Sequence, residues 1–281
     1  MTPVFYLPDQ AVEHDWISTN KIPEFVRQSN RFPIQPPDLE RSALYVAHER
    51  KYVDGVMDGT IANGFGNTDP ALARYALASV ASFTGAVDHV LQGHSPVACS
   101  ASQGFHHAHW DEGYGFCTFN GLMVVAAHQL QNGAVGQVLI IDGDGHYGDG
   151  TVDIIDLLDF EGRVAHITRP DIGCPIQSNW NAAMWQSFTQ DLIRTAKPGI
   201  ILYQAGADAW DLDPYGAGYL SKEGLAARDR GIFTAARDAG VPLVWNLAGG
   251  YADSMQDTID IHLQTLAISD EVYNVEATIV S

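Results

Sequence analysis

Short β-branched runs alternate with amphipathic stretches of helical length over much of this chain. This alternation is typical of a parallel sheet wrapped by helices, so we predict an α/β fold with a central, mostly parallel sheet. One helix has especially clear ends, because Ser221 suits an N-cap and Gly240 a stop signal. The predicted strands are residues 138–141, 164–168, 199–205 and 241–247, and the predicted helices are residues 121–131, 179–196 and 221–239.

The 281 residues, 46% of them hydrophobic, suffice for one large domain or two small ones. No internal repeat, low-complexity tract or clear linker divides the sequence, so we predict a single domain over residues 1–281. Residues 1–40 are its N-terminal loop region. As far as Pro37 they are rich in proline and polar residues without clear periodicity, and we predict a loop there, with a second loop at residues 64–70.

The balance of 34 acidic against 15 basic residues gives a formal net charge of -19. This charge repels phosphate backbones and anionic lipid surfaces, which argues against nucleic acid as a direct partner. It would attract a cationic substrate, although the same acidity also aids solubility or suits a saline habitat.

Two further observations bear on the compartment. No window approaches the roughly 20 apolar residues of a membrane span, and the N-terminus lacks a basic region followed by an apolar run. Cys99, Cys117 and Cys174 are irregularly spaced, with no pair arranged as a zinc knuckle or redox dithiol, which fits a reducing environment. We therefore expect a soluble cytoplasmic protein with no membrane partner.

The segment 141–151 carries three carboxylates and an imidazole directly after a predicted strand. Ligands of open α/β sheets bind outside the carboxyl ends of the strands, so this edge is the expected site. Asp144 and His146 are two residues apart and project to the same side of an extended backbone, which favours a metal site. On this segment alone, a Gly/Asp turn with solvated carboxylates explains the pattern about equally well.

Adjacent histidines, His106 and His107, form a second cluster beside a glycine-bounded aromatic, Phe116. Neighbouring histidines tend to diverge, so we do not expect both to bind one metal. They can supply a general base and an electrostatic partner instead. Taken alone, such a pair is more often structural than catalytic, and Phe116 is more often a core residue.

Six blocks, in order and with similar gaps, resemble the zinc-dependent histone-deacetylase-like amidohydrolases, from about Ala43 to the end of the chain. The resemblance implies the arginase/deacetylase fold, a three-layer α/β/α domain with its active site at the carboxyl ends of the strands. The blocks are GlyPheHisHisAla at 104–108, GlyPheCysThrPheAsn at 115–120, AspGlyAspGlyHisTyrGlyAspGlyThr at 142–151, GlnAlaGlyAlaAsp at 204–208, AspProTyrGly at 213–216 and AlaGlyGlyTyr at 248–251.

The resemblance implies that Asp144, His146 and Asp208 bind one Zn²⁺ ion. Two oxygens and one nitrogen suit zinc, but would also accept Fe²⁺ or Co²⁺. In the family, the residue at His107 deprotonates the attacking water and protonates the leaving amine, and the one at His106 stabilises the transition state. The resemblance further implies that Asp142 orients His106, that Asp149 orients His107, and that Asp142 lies beside a structural K⁺ ion.

On the same grounds, Tyr251 donates a hydrogen bond to the substrate carbonyl. Phe116 forms a wall of a narrow slot for an aliphatic chain, and we assign Gly115 and Gly249 to the substrate site beside these rings. The implied activity is the hydrolysis of an acetyl or other short acyl amide on a lysine side chain or small primary amine. Relatives often build part of the entrance from a neighbouring subunit, so a homo-oligomer is possible.

Two positions argue against the sibling arginase-like enzymes, which need two manganese ions. Those enzymes place further aspartates where this chain has Gly148 and Trp210. A one-metal site follows, and with it amide rather than guanidine hydrolysis.

The chain also departs from the family pattern. Tyr147 replaces a usual second histidine, and the region around His14 and Asp15 lacks the usual HisProGluArgPro-like run. Relatives specialised for acetylated polyamines have a glutamate where this chain has Tyr215, although Asp69 occupies a loop where relatives keep a substrate-anchoring aspartate.

These departures leave two alternatives open. One is an amidohydrolase of acetylpolyamines or other small metabolites, and the other is a catalytically silent module that binds acylated ligands. Trp110, Trp210 and Tyr215 either narrow the entrance or pack at the surface.

Overall fold

The computed structural model of the chain describes residues 1–12, 17–168, 179–215 and 218–274. Within these ranges six parallel strands form one sheet in the order β1-β2-β6-β5-β3-β4. The predicted α/β fold with a parallel sheet is therefore confirmed. The strands are β1 (Val4–Phe5), β2 (Val97–Ser100), β3 (Val138–Asp142), β4 (Val164–Ile167), β5 (Ile200–Gln204) and β6 (Leu243–Asn246).

Eight helices cover the sheet within the described ranges, and the core divides between its two faces. Alternate strand residues point to opposite faces, so Ile140 packs in one apolar cluster and Leu139 in the other. Helices α2 to α5 pack in the first cluster, whereas α1, α6, α7 and α8 pack in the second. The helices are α1 (Ile17–Gln28), α2 (Arg50–Met57), α3 (Pro70–Leu91), α4 (Gly121–Gln131), α5 (Asp149–Leu157), α6 (Ala182–Ala196), α7 (Lys222–Ala239) and α8 (Met255–Asn274).

The register of the central strands aligns polar residues at one edge. Asp142 at the end of β3 pairs with Gln204 of β5, which in turn pairs with Asn246 of β6. Gln204 also donates from Nε2 to Oδ1 of Asp142 at 3.0 Å, and all three side chains are buried. The carboxyl ends of these strands therefore meet in one polar layer, as parallel pairing requires.

The helix ends follow local capping. Helix α4 has the predicted bounds, and α7 begins after Ser221, whose hydroxyl accepts from Gly224, and ends at Gly240 with a φ of 65°. Helix α6 starts three residues later than predicted, because the side chain of Asn181 caps it by accepting from the Met184 backbone N–H.

The prediction of a loop through Pro37 was wrong. Strand β1 adds to the edge of the sheet beside β2, and α1 forms even though it contains Pro23. Helix α1 is stabilised by tertiary burial, because Ile22 and Phe25 are fully buried against the sheet. The segment around His14 and Asp15 lies outside the described residues.

Residues 64–69 form the predicted second loop, and Pro70 begins α3. A membrane-crossing helix needs a long apolar stretch, and no helix within the described ranges has one.

Candidate active site

Three side chains at the carboxyl edge of the sheet converge as a potential metal site. One ligand atom each from Asp144, His146 and Asp208 lies within 4.8 Å of the others. Nδ1 of His146 lies 3.1 Å from Oδ1 of Asp144 and 3.0 Å from Oδ2 of Asp208. Its Nε2 points away and donates to the Tyr215 carbonyl at 2.7 Å, so Nδ1 is the atom presented to an ion.

The backbone holds both carboxylates in place. Gly249 N–H donates to Asp144 at 2.9 Å, and Gly145 N–H donates to Asp208 at 2.9 Å. A side chain at Gly249 would collide with Asp208 and would lie 2.7 Å from Oδ2 of Asp144. Two buried carboxylates and one imidazole in this arrangement fit a divalent ion of zinc size and preference.

The charges of the cluster are interdependent. Hydrogen bonds to Asp144 and Asp208 raise the pKa of His146 to about 11. Burial, followed by the charge of Asp144, raises the pKa of Asp208 to about 7. These groups therefore hold protons that a bound divalent ion would displace.

The two adjacent histidines lie side by side at one edge of the same site, which corrects the expectation that they diverge. The chain turns at His106 and His107, and their ring centroids are 4.1 Å apart. Nδ1 of His106 lies 2.7 Å from Oδ2 of Asp142, and Nδ1 of His107 lies 2.6 Å from Oδ1 of Asp149. Each ring thus has its own carboxylate.

Aromatic rings surround the cavity above these residues. The ring of Tyr251 lies 5.9 Å from that of Phe116 and 5.8 Å from that of Tyr215, and Tyr114 lies 5.8 Å from His107. The result is a slot with apolar walls and a polar floor. Its volume is about 270 Å³, and its lining residues are Gln103, Gly104, His106, His107, Tyr114, Gly115, Phe116, Cys117, Asp144, His146, Tyr215, Gly249 and Tyr251.

Strained backbone lies on both sides of this slot. Phe116 has a φ of 67° and Ala248 a φ of 57°, which are unusual for residues with side chains. Gly115 has a φ of 54°, and a Cβ there would lie 2.6 Å from the His107 ring. Such strain is typical of functional sites, where the surroundings hold the backbone in place.

Burial and the charges of Asp144 and Asp208 raise the pKa of Tyr251 well above its ordinary value. Its phenol therefore stays protonated and can donate a hydrogen bond. Its backbone N–H donates to Oδ2 of Asp213 at 2.6 Å, which ties Tyr251 to the loop of Tyr215.

Sequence reasoning missed a buried lysine behind Tyr251. Lys21 of α1 donates from Nζ to the Ala248 carbonyl at 2.5 Å and lies 5.7 Å from the centroid of the Tyr251 ring. Burial lowers its pKa to about 8, against the opposing charges of Asp208 and Asp144. A single lysine in a polar segment carries no sequence signal for this position.

Three candidates do not line the slot in the described part of the chain. Asp69 caps α3, and its Oδ1 accepts from the Ala71 backbone N–H at 2.8 Å. Trp210 lies under Lys222, with Nζ 4.5 Å from its ring, and Trp110 packs against the core. These tryptophans pack rather than narrow the entrance, whereas Tyr215 lies at the slot with 72% of its surface exposed.

Gly148 leaves no room for a further metal ligand. A Cβ there would lie 2.7 Å from Oδ2 of Asp142 and 2.9 Å from the ring of His166. Among the described residues, the only group of three or more potential metal ligands is Asp144, His146 and Asp208. This geometry favours one ion over two.

Comparisons with known proteins identify the family of the chain. A family model described as the histone deacetylase domain matches residues 13–167 and 171–266. An uncharacterized protein of Picosynechococcus sp. is 27% identical over 265 residues, covering 85% of each chain. Histone deacetylase 2 of Arabidopsis thaliana is 26% identical over 186 residues, covering 60% of this chain and 48% of that protein.

Acetylpolyamine amidohydrolase of Mycoplana ramosa is 27% identical over 207 residues, covering 65% of this chain and 59% of that one. A crystal structure of acetylpolyamine aminohydrolase from Burkholderia pseudomallei has the same fold, with a TM-score of 0.75 and 16% identity over 97% of this chain and 99% of the other. Because the family model spans most of the sequence, the chain belongs to the histone deacetylase family and is a hydrolase that acts on amides.

Proposed function

We propose that the enzyme is a zinc-dependent deacylase that hydrolyses an acetyl or other short acyl amide of a lysine side chain or small primary amine. The products are acetate, or the corresponding acid, and the free amine. One observation carries this proposal: Asp144, His146, His107 and Tyr251 line the same slot, and Asp208 completes the metal cluster at its floor.

Asp144, His146 and Asp208 would hold the Zn²⁺ ion. When bound, the ion supplies a Lewis acid that lowers the pKa of water and polarises a carbonyl. Fe²⁺ or Co²⁺ would be accepted by the same donor set.

His107 acts as the general base and then as the general acid. Asp149 accepts from its Nδ1, which leaves Nε2 as the basic nitrogen. It takes a proton from the attacking water and gives it to the departing amine. Nδ1 of His106 is hydrogen-bonded to Asp142, and its Nε2 lies 3.5 Å from Asp144. These contacts fix the imidazole at the floor of the slot, where its positive charge stabilises the transition state.

Tyr251 donates its phenolic hydrogen to the substrate carbonyl as that oxygen gains negative charge. Its protonated state and its tie to Asp213 support this role. Phe116 and Tyr215 form walls that bury the methylenes of the substrate, and Gly115 and Gly249 line the same slot.

A small acetylated polyamine is the second candidate substrate. The net charge of -19 attracts cations, and two similar proteins are named for acetylpolyamines. Against it, Tyr215 brings no charge, and Asp69 is engaged in capping α3 rather than lining the slot. A silent binding module is less favoured, because binding alone does not require both a base and a phenol.

Further expectations accompany the main proposal. We also expect a structural K⁺ ion beside Asp142, held by backbone and carboxylate oxygens, where the Asp142 carboxylate also accepts from His106 and Gln204. A single domain, a cytoplasmic location and a homo-oligomer remain proposals. The free thiols of Cys99 and Cys117 support a reducing compartment.

The test is a substrate panel with the zinc-loaded protein. We expect release of fluorophore from an acetyl-lysine reporter, inhibition by a hydroxamate, and weaker turnover of acetylated diamines. The matched control, Asp208→Ala, should bind no zinc and release nothing. Wild-type protein that binds zinc yet cleaves no acetyl, longer acyl or small-amine substrate would contradict the proposal.

A second variant separates the metal from the phenol. Tyr251→Phe should keep the metal and lose about 10²- to 10³-fold in kcat, because one donor to the developing negative charge is gone. Full turnover by this variant would remove Tyr251 from the mechanism.

A further inference from the structure

A buried arginine lies beneath the two loops that carry the metal-binding carboxylates. Arg228 belongs to α7 and is fully buried. Its Nη1 donates to the Gly143 carbonyl at 2.8 Å and to the Gly206 carbonyl at 3.0 Å. Gly143 directly precedes Asp144, and Gly206 lies two residues before Asp208.

These two carbonyls lie where adjacent strands leave the sheet. The last backbone–backbone hydrogen bond between the two chain segments runs from Gly143 N–H to Gln204 O, at 2.8 Å. Beyond it the loops pack closely, since a Cβ on Gly206 would lie 2.6 Å from Cα of Asp144. Two carbonyl oxygens that face a common point repel each other, and a cationic donor between them removes that repulsion.

The guanidinium is itself fixed from below. Its Nε donates to Oδ1 of Asp229 at 2.9 Å, and Asp229 also accepts from the hydroxyls of Tyr203 and Thr265, the latter at 2.6 Å. One planar group thus joins α7 to both loops, and Asp229 balances its charge. A lysine ammonium lacks this forked geometry.

We propose that Arg228 is a positioning residue of the metal site, which sets the separation of the Asp144 and Asp208 carboxylates by holding the Gly143 and Gly206 carbonyls on one nitrogen. This inference rests on the proposed function only in requiring that those carboxylates bind a metal ion. It does not depend on which amide is cleaved.

The experiment measures zinc affinity by competition with a chelator, at a temperature where every variant is folded by circular dichroism. Arg228→Met combined with Asp229→Asn removes the guanidinium that bonds the Gly143 and Gly206 carbonyls, without leaving a lone buried charge. We expect its zinc affinity to fall about 10- to 100-fold, as for other residues that orient metal ligands. Ser269→Ala is the matched control: it removes a buried hydrogen bond to the Thr2 hydroxyl, outside the Arg228–Asp229 network, and lowers stability but leaves zinc affinity unchanged.

Arg228→Lys provides a second measurement if the double variant does not fold. This variant keeps the buried positive charge but replaces the planar guanidinium by a single ammonium group. Its zinc affinity should therefore fall about 10-fold. Wild-type affinity in either folded Arg228 variant, or an equal loss in Ser269→Ala, would overturn the positioning role. Absence of zinc binding by the wild-type protein would instead overturn the proposed function and this inference together.

Discussion

The His106–Asp142 and His107–Asp149 pairs have nearly the same geometry but different surroundings. Their Nδ1 to carboxylate oxygen distances are 2.7 and 2.6 Å. In the first pair the side chains are 3% and 0% exposed, whereas in the second they are 15% and 38% exposed. One pair is part of the protein interior, and the other is in contact with solvent.

This difference supports the separate tasks that we propose for His106 and His107. Burial lowers the pKa of His106, but the charges of Asp142 and Asp144 outweigh it and raise that pKa to about 9. A fixed, charged imidazole suits electrostatic stabilisation, whereas a proton carrier must exchange with water between steps. The more exposed position of His107 permits that exchange.

The largest expected effect separates the two imidazoles. His107→Ala should lower kcat by about 10³-fold, because the general base is lost. Added imidazole should restore part of the rate, since the removed ring borders the open slot. His106→Ala should also be slow but show less rescue, because the His106 side chain is only 3% exposed at the floor of the slot, against 15% for His107. Rescue of His106→Ala and not of His107→Ala in steady-state assays would reverse the two assignments.

Asp142 and Asp149 provide the next comparison, between the stability losses when each carboxylate is removed. Asp142→Asn should destabilise the fold by about 3 kcal/mol in urea unfolding, because it breaks a buried charge pair. Asp149→Asn should change stability by less than about 1 kcal/mol, since that pair is partly solvated.

In the same pair of variants, Asp149→Asn should still reduce kcat about 10- to 100-fold by releasing the His107 ring. Equal stability losses in the two variants would show that their different burial has no energetic consequence.

A pH-dependent effect comes from His48, a buried histidine that has no carboxylate partner. His48 has Nδ1 donating to the His109 carbonyl and Nε2 accepting from Asn120 N–H. Burial lowers its pKa to about 4, the opposite of the shift at His106. Protonation therefore favours the unfolded chain, and the stability from this group is complete above pH 6.5 and decreases as the pH falls toward 4.

Between pH 7 and pH 5, His48 should account for a loss of about 2 kcal/mol in the free energy of unfolding. Urea unfolding of the wild type and of His48→Gln at each pH isolates this contribution, because other titrating groups are common to both. Parallel curves for the two proteins would contradict a neutral buried His48.

Local features made part of this structure predictable. Ser221 and Gly240 mark the ends of α7, and the β-branched runs mark the central strands, because capping and strand propensity act over a few residues. The spacing of Asp144 and His146 likewise indicated that both side chains could bind one metal ion, and the structure places both beside Asp208.

The rest depends on tertiary packing. Helix α1 was missed because Pro23 obscures its pattern, and only burial of Ile22 and Phe25 shows why it forms. Lys21 and Arg228 resemble solvated surface residues in the sequence, yet both are fully buried against active-site carbonyls. Asp69 shows the converse, since a residue suited to substrate contact is engaged in capping a helix.

The crowding around Gly148 limits how this enzyme can diverge. Any side chain there meets Asp142 and His166, so a new acidic group cannot be accommodated by one substitution. Because Asp142 also holds His106, moving it aside would disturb the existing chemistry. A path from this pocket toward a dinuclear hydrolase would therefore need several coordinated changes, and its intermediates would be poor catalysts of either reaction.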